Sequence, residues 1–76
     1  MRAQDAIAEV VQEFGRAINL NGAFHSAHEG YAVIAEELDE LWDEVKKNRR
    51  KRDPERMRKE ASQVAAMALR FMVDIL

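Results

Sequence analysis

The last third of the chain sets the terms for the rest. From Val64 to Ile75 the sequence reads VAAMALRFMVDI, and only Arg70 and Asp74 interrupt an otherwise apolar run. Upstream, Asp53-Pro54-Glu55 has the form of a helix start: a capping aspartate, a proline at the first helical position and an acid in the first turn. The helix predicted from Pro54 onward is therefore apolar around almost its whole circumference beyond Ala61. Such a helix is normally buried on most of its sides. The polar exceptions are grouped: at about 100° per residue, Glu60, Gln63, Arg70 and Asp74 fall within a sector of roughly 80°. A narrow polar seam on a buried helix needs polar partners, because unpaired buried charge is expensive.

What can cover this helix is limited. Seventy-six residues make a single domain, 1–76, and a chain of that size buries only roughly 60% of the surface its unfolded form exposes. There is no cysteine, so neither disulfides nor thiolate zinc sites make up the deficit. Two further helices are predicted. From about Arg2 to Asn19, Ile7, Val10, Val11, Phe14 and Ile18 form one apolar stripe, weakened modestly by Gly15. From about Glu29 to Asn48 the stripe is Tyr31, Ile34, Ala35, Leu38, Leu41, Trp42 and Val45. A turn region over 19–30 separates them, with a helix start near Ser26. Two amphipathic helices cannot cover a third that is apolar all round. The expected fold is all-α, three main helices per chain forming a helical bundle completed by oligomerisation, as a homo-dimer or tetramer.

The charge pattern singles out the second helix. Between Glu29 and Glu44 there are seven acids and no Lys or Arg; between Lys46 and Lys59 there are nine basic residues against Asp53 and Glu55. On this helix, which contains the decapeptide EELDELWDEV at residues 36–45, Glu29, Glu36, Glu40 and Asp43 project to the side away from the apolar stripe, with Glu37 and Glu44 flanking them. Taken alone, these acids read as a solvated helix face. The polar seam of the third helix offers the alternative, a set of carboxylates gathered between two helices.

The pairs Glu37-x-x-Glu40 and Glu60-x-x-Gln63, with nineteen residues between them, resemble the ExxE…ExxD arrangement of the MazG-like all-α NTP pyrophosphatase superfamily. The stretches HEGYAVIAEELDELWDEV and KEASQVAAMALRF are similar to its small MazG-like branch in particular. The resemblance implies an oligomeric helical bundle that binds Mg2+, with Mn2+ as an alternative, through four acidic ligands. It implies hydrolysis of a nucleoside triphosphate, including noncanonical or deoxy nucleotides, to the monophosphate and pyrophosphate. Carried across position by position, the metal ligands are Glu37, Glu40 and Glu60, with Gln63 where the family has Asp. A glutamine supplies a neutral carbonyl oxygen but no charge. Residues at i and i+3 share a helix face, so two facing helices can present four oxygens to one site. A carboxylate not fully engaged by metal, Glu36 or Glu40, would orient or deprotonate the attacking water.

Other features admit two readings each. The basic run after the second helix is a solvated turn, or it attracts a triphosphate through Lys46, Lys47 and Arg49. Nucleic-acid binding by the same run is the weaker reading, since no aromatic residue interleaves it and the net charge is −2. Arg70 and Asp74, four residues apart, pair with each other, or Arg70 reaches a phosphate. His25 and His28 read as capping and packing residues, and Trp42 as core. No apolar run approaches the ~18 residues needed to span a bilayer, which makes the cytoplasm the expected location. The alternative to an enzyme is a non-catalytic oligomeric module that kept the fold while Gln63 disabled the site.

Overall fold

The computed structural model describes residues 1–76. Three α-helices, α1 (Ala3–Leu20), α2 (Ala27–Val45) and α3 (Pro54–Ile75), account for most of it, with a single 3-10 turn at Arg49–Lys51 and no strand. With 22 residues, α3 is about 33 Å long and sets most of the 40 Å long axis.

Local chemistry accounts for the helix ends. The Ser26 hydroxyl accepts the Glu29 N–H at 3.0 Å, and the Glu29 carboxylate reaches back to the His25 N–H at 3.3 Å. This is a reciprocal cap displaced by one residue from the usual box. The Asp53 carboxylate accepts the Glu55 N–H at 2.9 Å, with Pro54 at the first position, as its sequence foretells. α2 stops at Val45 and not near Asn48. Asn48 instead turns the chain and accepts the Arg50 N–H at 3.0 Å, while Arg52 Nε donates to the Val45 carbonyl at 2.8 Å. A guanidinium on a terminal carbonyl suits the negative end of the helix dipole. Part of the basic run thus closes off α2.

Both α1 and α2 pack on α3 and do not pack on each other. An ion pair between Glu9 and Arg58 ties α1 to the N-terminal part of α3. The core lies where α1, the 21–25 loop and α2 converge on the middle of α3. Ala17, Phe24, Ala66 and Met67 are buried there, with Phe14, Val33, Ile34, Phe71 and Ile75 packed around them. Gly30 is buried as well, and its place explains its size. A Cβ there would sit 2.6 Å from Phe71 Cδ2 and 3.1 Å from Phe24 Cδ2, so the first turn of α2 seats directly on two aromatic rings.

Only 6 of 76 residues are buried, and no large side chain is completely so. The predicted α2 stripe is split: Ile34, Leu41 and Val45 are partly covered by α3, while Tyr31, Leu38 and Trp42 face outward. Met72 and Val73 on α3 are likewise exposed. A single facing helix covers only part of so wide a stripe.

Gly30→Ala should destabilise the protein by about 1–3 kcal/mol through overpacking, outweighing the helix-propensity gain of about 0.5–1 kcal/mol. Gly15, with open space around it, is the control. Gly15→Ala should raise stability in the same urea titrations, and an equal response of the two variants would contradict the close-approach account.

Candidate metal centre

The two acidic pairs meet. Glu37 and Glu40, one turn apart on α2, face Glu60 of α3, and one carboxylate oxygen from each lies within 4.8 Å of the others. Packing of α2 on α3 places them: Ile34 and Leu41, on either side of the pair in sequence, are the partly buried residues that hold this stretch of α2 against its neighbour. Glu37 and Glu60 are half-buried, and Glu40 is exposed. Gln63, one turn beyond Glu60, completes the group. With its –NH2 turned toward the acids, Gln63 donates to Glu37 Oε2 at 3.0 Å and to Glu60 Oε2 at 3.0 Å. A single amide therefore bridges the two helices.

The cluster has an electrostatic cost. Burial, the Glu40 carboxylate and the nearby Glu60 push the Glu37 pKa up from 4.5 to about 7. Glu60 is raised too, by burial first and then by Glu40. Burial and like charge both disfavour the ionised form, and the charge that relieves such repulsion is a cation. The geometry admits one. Oxygens on one octahedral Mg2+ lie about 3–4 Å apart, given metal–oxygen distances of about 2.0–2.1 Å, so small side-chain rotations would bring these three into range.

Several neighbours come from elements outside the two motifs. Glu13 of α1 adds negative charge near Glu37 and is held by Arg16 in a two-point pair, 2.6 and 3.1 Å. Glu44 lies close enough to Glu60 to act on it and pairs with Lys47 at 2.9 Å. Because the α1 and α2 backbones stay apart, a cleft of about 470 Å³ opens between them over α3. Glu37 and Gln63 stand at one end, Phe24, His25 and Arg70 at the other, and Leu20, Val33 and Met67 line the apolar middle. Sequence spacing gave no sign of Glu13, Arg16 or Phe24 here. An i, i+3 Glu–Arg pair is indistinguishable from a surface pair until α1 is placed on α3.

The remaining candidates are dispersed. Glu36 is exposed and outside the cluster, so Glu40 is the water-activating candidate that the structure brings to it. Lys46, Lys47 and Arg49 do not line the cleft. Lys46 pairs with Asp43 at 3.1 Å, Lys47 with Glu44, and Arg49 lies exposed in the 3-10 turn. The expected Arg70–Asp74 pair does not form. Arg70 Nη2 instead donates to the Gly22 carbonyl at 2.7 Å, and Asp74 accepts the Phe24 N–H at 3.0 Å. The loop's unpaired backbone groups compete for both side chains, since Gly22 and Phe24 have no helical partners of their own. His25 and Glu29 form a capping pair, 3.1 Å between Nδ1 and Oε2.

Comparison with models of known families, with curated proteins and with solved structures finds no match.

A raised carboxyl pKa has a definite consequence for stability. Between pH 4.5 and about 7 the folded chain keeps a proton on Glu37 that the unfolded chain has released. The native state then binds more protons, and stability falls as pH rises through that window. Glu60, also raised, adds a contribution of the same sign. Glu37→Gln should flatten this slope in metal-free urea titrations and make the variant more stable than wild type at the alkaline end. Parallel curves for the two proteins would rule the coupling out.

Proposed function

We propose that this chain is a divalent-cation-dependent nucleoside triphosphate pyrophosphohydrolase of the MazG-like all-α type, acting on noncanonical or deoxy nucleotides among others. The observation that carries the reading is the convergence of Glu37, Glu40 and Glu60 from two helices, with Glu37 and Gln63 of that group lining an open cleft. Glu37, Glu40, Glu60 and the carbonyl of Gln63 would hold Mg2+ or Mn2+, which supplies charge neutralisation on the phosphates and a more acidic water. Glu40, the most exposed of the three acids, orients that water. Glu37 and Glu60 are held in place by packing. The apolar middle of the cleft has room for the nucleoside, and Lys46, Lys47 and Arg49 attract the polyphosphate from a distance.

One observation favours the second reading, a non-catalytic helical module. The Gln63 amide already ties Glu37 to Glu60, so the site has an internal solution that needs no metal. To ligate a cation, the amide must turn its oxygen inward and give up both bonds.

The same reading includes a homo-oligomer, a dimer or tetramer, supported by the thin single-chain core and by Tyr31, Leu38, Trp42, Met72 and Val73 standing exposed. A stable interface takes about 800 Å² from each partner, and these side chains supply an apolar face for it. A cytoplasmic setting accords with a nucleotide substrate. No helix is long and apolar enough to cross a membrane.

Wild-type protein incubated with a nucleotide panel and Mg2+ or Mn2+ should release pyrophosphate, and Glu60→Gln should lose roughly a hundredfold or more in rate while staying folded. Release by Gln63→Asp but not by wild type would favour the non-catalytic module. Release by neither would contradict the enzymatic reading. In sedimentation experiments at low micromolar concentration the chain should run as an oligomer, and Leu38→Glu with Trp42→Glu should dissociate it. A folded wild-type monomer would overturn the assembly.

A further inference from the structure

Arg70 is 4% exposed, and no carboxylate pairs with it. The acids around it are committed elsewhere. Asp74 accepts the Phe24 N–H, Glu13 holds Arg16, and Glu29, which feels the Arg70 charge, gives its oxygens to His25. The guanidinium lies over the Phe24 ring, 4.2 Å from its centroid, and Nη1 meets only the Met67 sulfur at 3.4 Å. Along its other edge Nη2 donates to the Gly22 carbonyl at 2.7 Å, while Nε has no partner. Nε and Nη2 together form the side of the guanidinium that matches two oxygens of one carboxylate or phosphate. Here that edge holds one neutral oxygen.

We propose that Arg70 is the receptor for a two-oxygen anion, a phosphate or carboxylate group of a small ligand, at the loop end of the cleft. Arg70 lines both the main cleft and a smaller hollow of about 170 Å³ beside Asn21, Gly22 and Asp74. The anion takes Nη2 from the Gly22 carbonyl and satisfies Nε in the same step. A charged acceptor binds a guanidinium more strongly than a neutral carbonyl does, and a buried charge without a counter-ion gains most from one. The carbonyl to be displaced belongs to a glycine, whose backbone can re-orient at little steric cost, and no Cβ contact pins it, since nothing lies within 4 Å of where a Cβ would be. The subsite is separate from the carboxylate cluster. Six residues of α3 lie between Gln63 and Arg70, which sets the two about 10 Å apart along the helix, and anion binding here requires no cation.

The test uses 15N-labelled protein freed of divalent ions on a chelating resin and titrated with inorganic phosphate and, separately, acetate at constant ionic strength. Saturable shifts of the Arg70 Nε–H and of the Gly22 and Phe24 amides are expected, and whichever anion saturates at lower concentration identifies the ligand group. Arg70→Lys keeps the charge without the two-point edge and should weaken binding at least tenfold. Arg70→Met should abolish it, and if that variant fails to fold, Arg70→Lys decides. Arg2→Gln and Arg56→Gln combined, at exposed cations given no part in binding, should leave the shifts in place. Shifts confined to residues 46–52, no shift at Arg70, or unchanged affinity in Arg70→Lys would overturn the proposal. Because no metal is present, these outcomes leave the pyrophosphohydrolase reading to its own test.

Discussion

The packing of two helices on one side each of a third, with their own backbones held apart, underlies every other feature of this chain. α3 is the only element that α1 and α2 share, so its side chains decide both what is buried and what the cleft can hold. Small and flexible residues, Ala66 and Met67, sit at the crossing, which lets the other helices approach closely. The polar seam divides its duties along the helix axis. Glu60 and Gln63 meet the acids of α2, while Arg70 and Asp74, two to three turns later, hold the loop that leads into α2.

The two ends of the cleft are electrically opposite. At one, Glu37 is crowded by Glu40 and Glu60 and a neutral amide softens the repulsion; at the other, a guanidinium lies buried with no carboxylate paired to it. Salt bridges elsewhere do little to even this out, because most are exposed i, i+3 pairs, a class worth under about 1 kcal/mol each. An unbalanced interior of this kind is costly to a small domain whose core is thin. Charge of this kind is the motive for the cation and anion sites proposed above.

Much of this was legible in the residues. Period and capping placed all three helices, and the start of α3 at Asp53-Pro54-Glu55 needed no tertiary information. The pairing of Glu37 and Glu40 with Glu60 and Gln63 could be anticipated because both pairs repeat at helical spacing and one interrupts an apolar helix. What could not be read depended on competition in three dimensions. Arg70 and Asp74 are ideally spaced to pair, yet backbone groups of a loop some fifty residues earlier claim both. The end of α2 at Val45 depends on Arg52 finding its last carbonyl. Gly30 looks like a defect in a helix until the rings of Phe24 and Phe71 are in place.

The central claim is that acids from two helices form one cation site, and paramagnetic broadening by Mn2+ tests it most directly. Added well below one equivalent to 15N-labelled protein, Mn2+ should broaden amide signals of residues 37–41 and 60–64 together, ahead of all others, and excess Mg2+ should restore them. The α3 signals carry the weight, since Glu60 is the only acid between Glu55 and Asp74. Broadening spread along the acidic face of α2, with residues 60–64 unaffected, would show a solvated helix face attracting cations diffusely and would contradict the account.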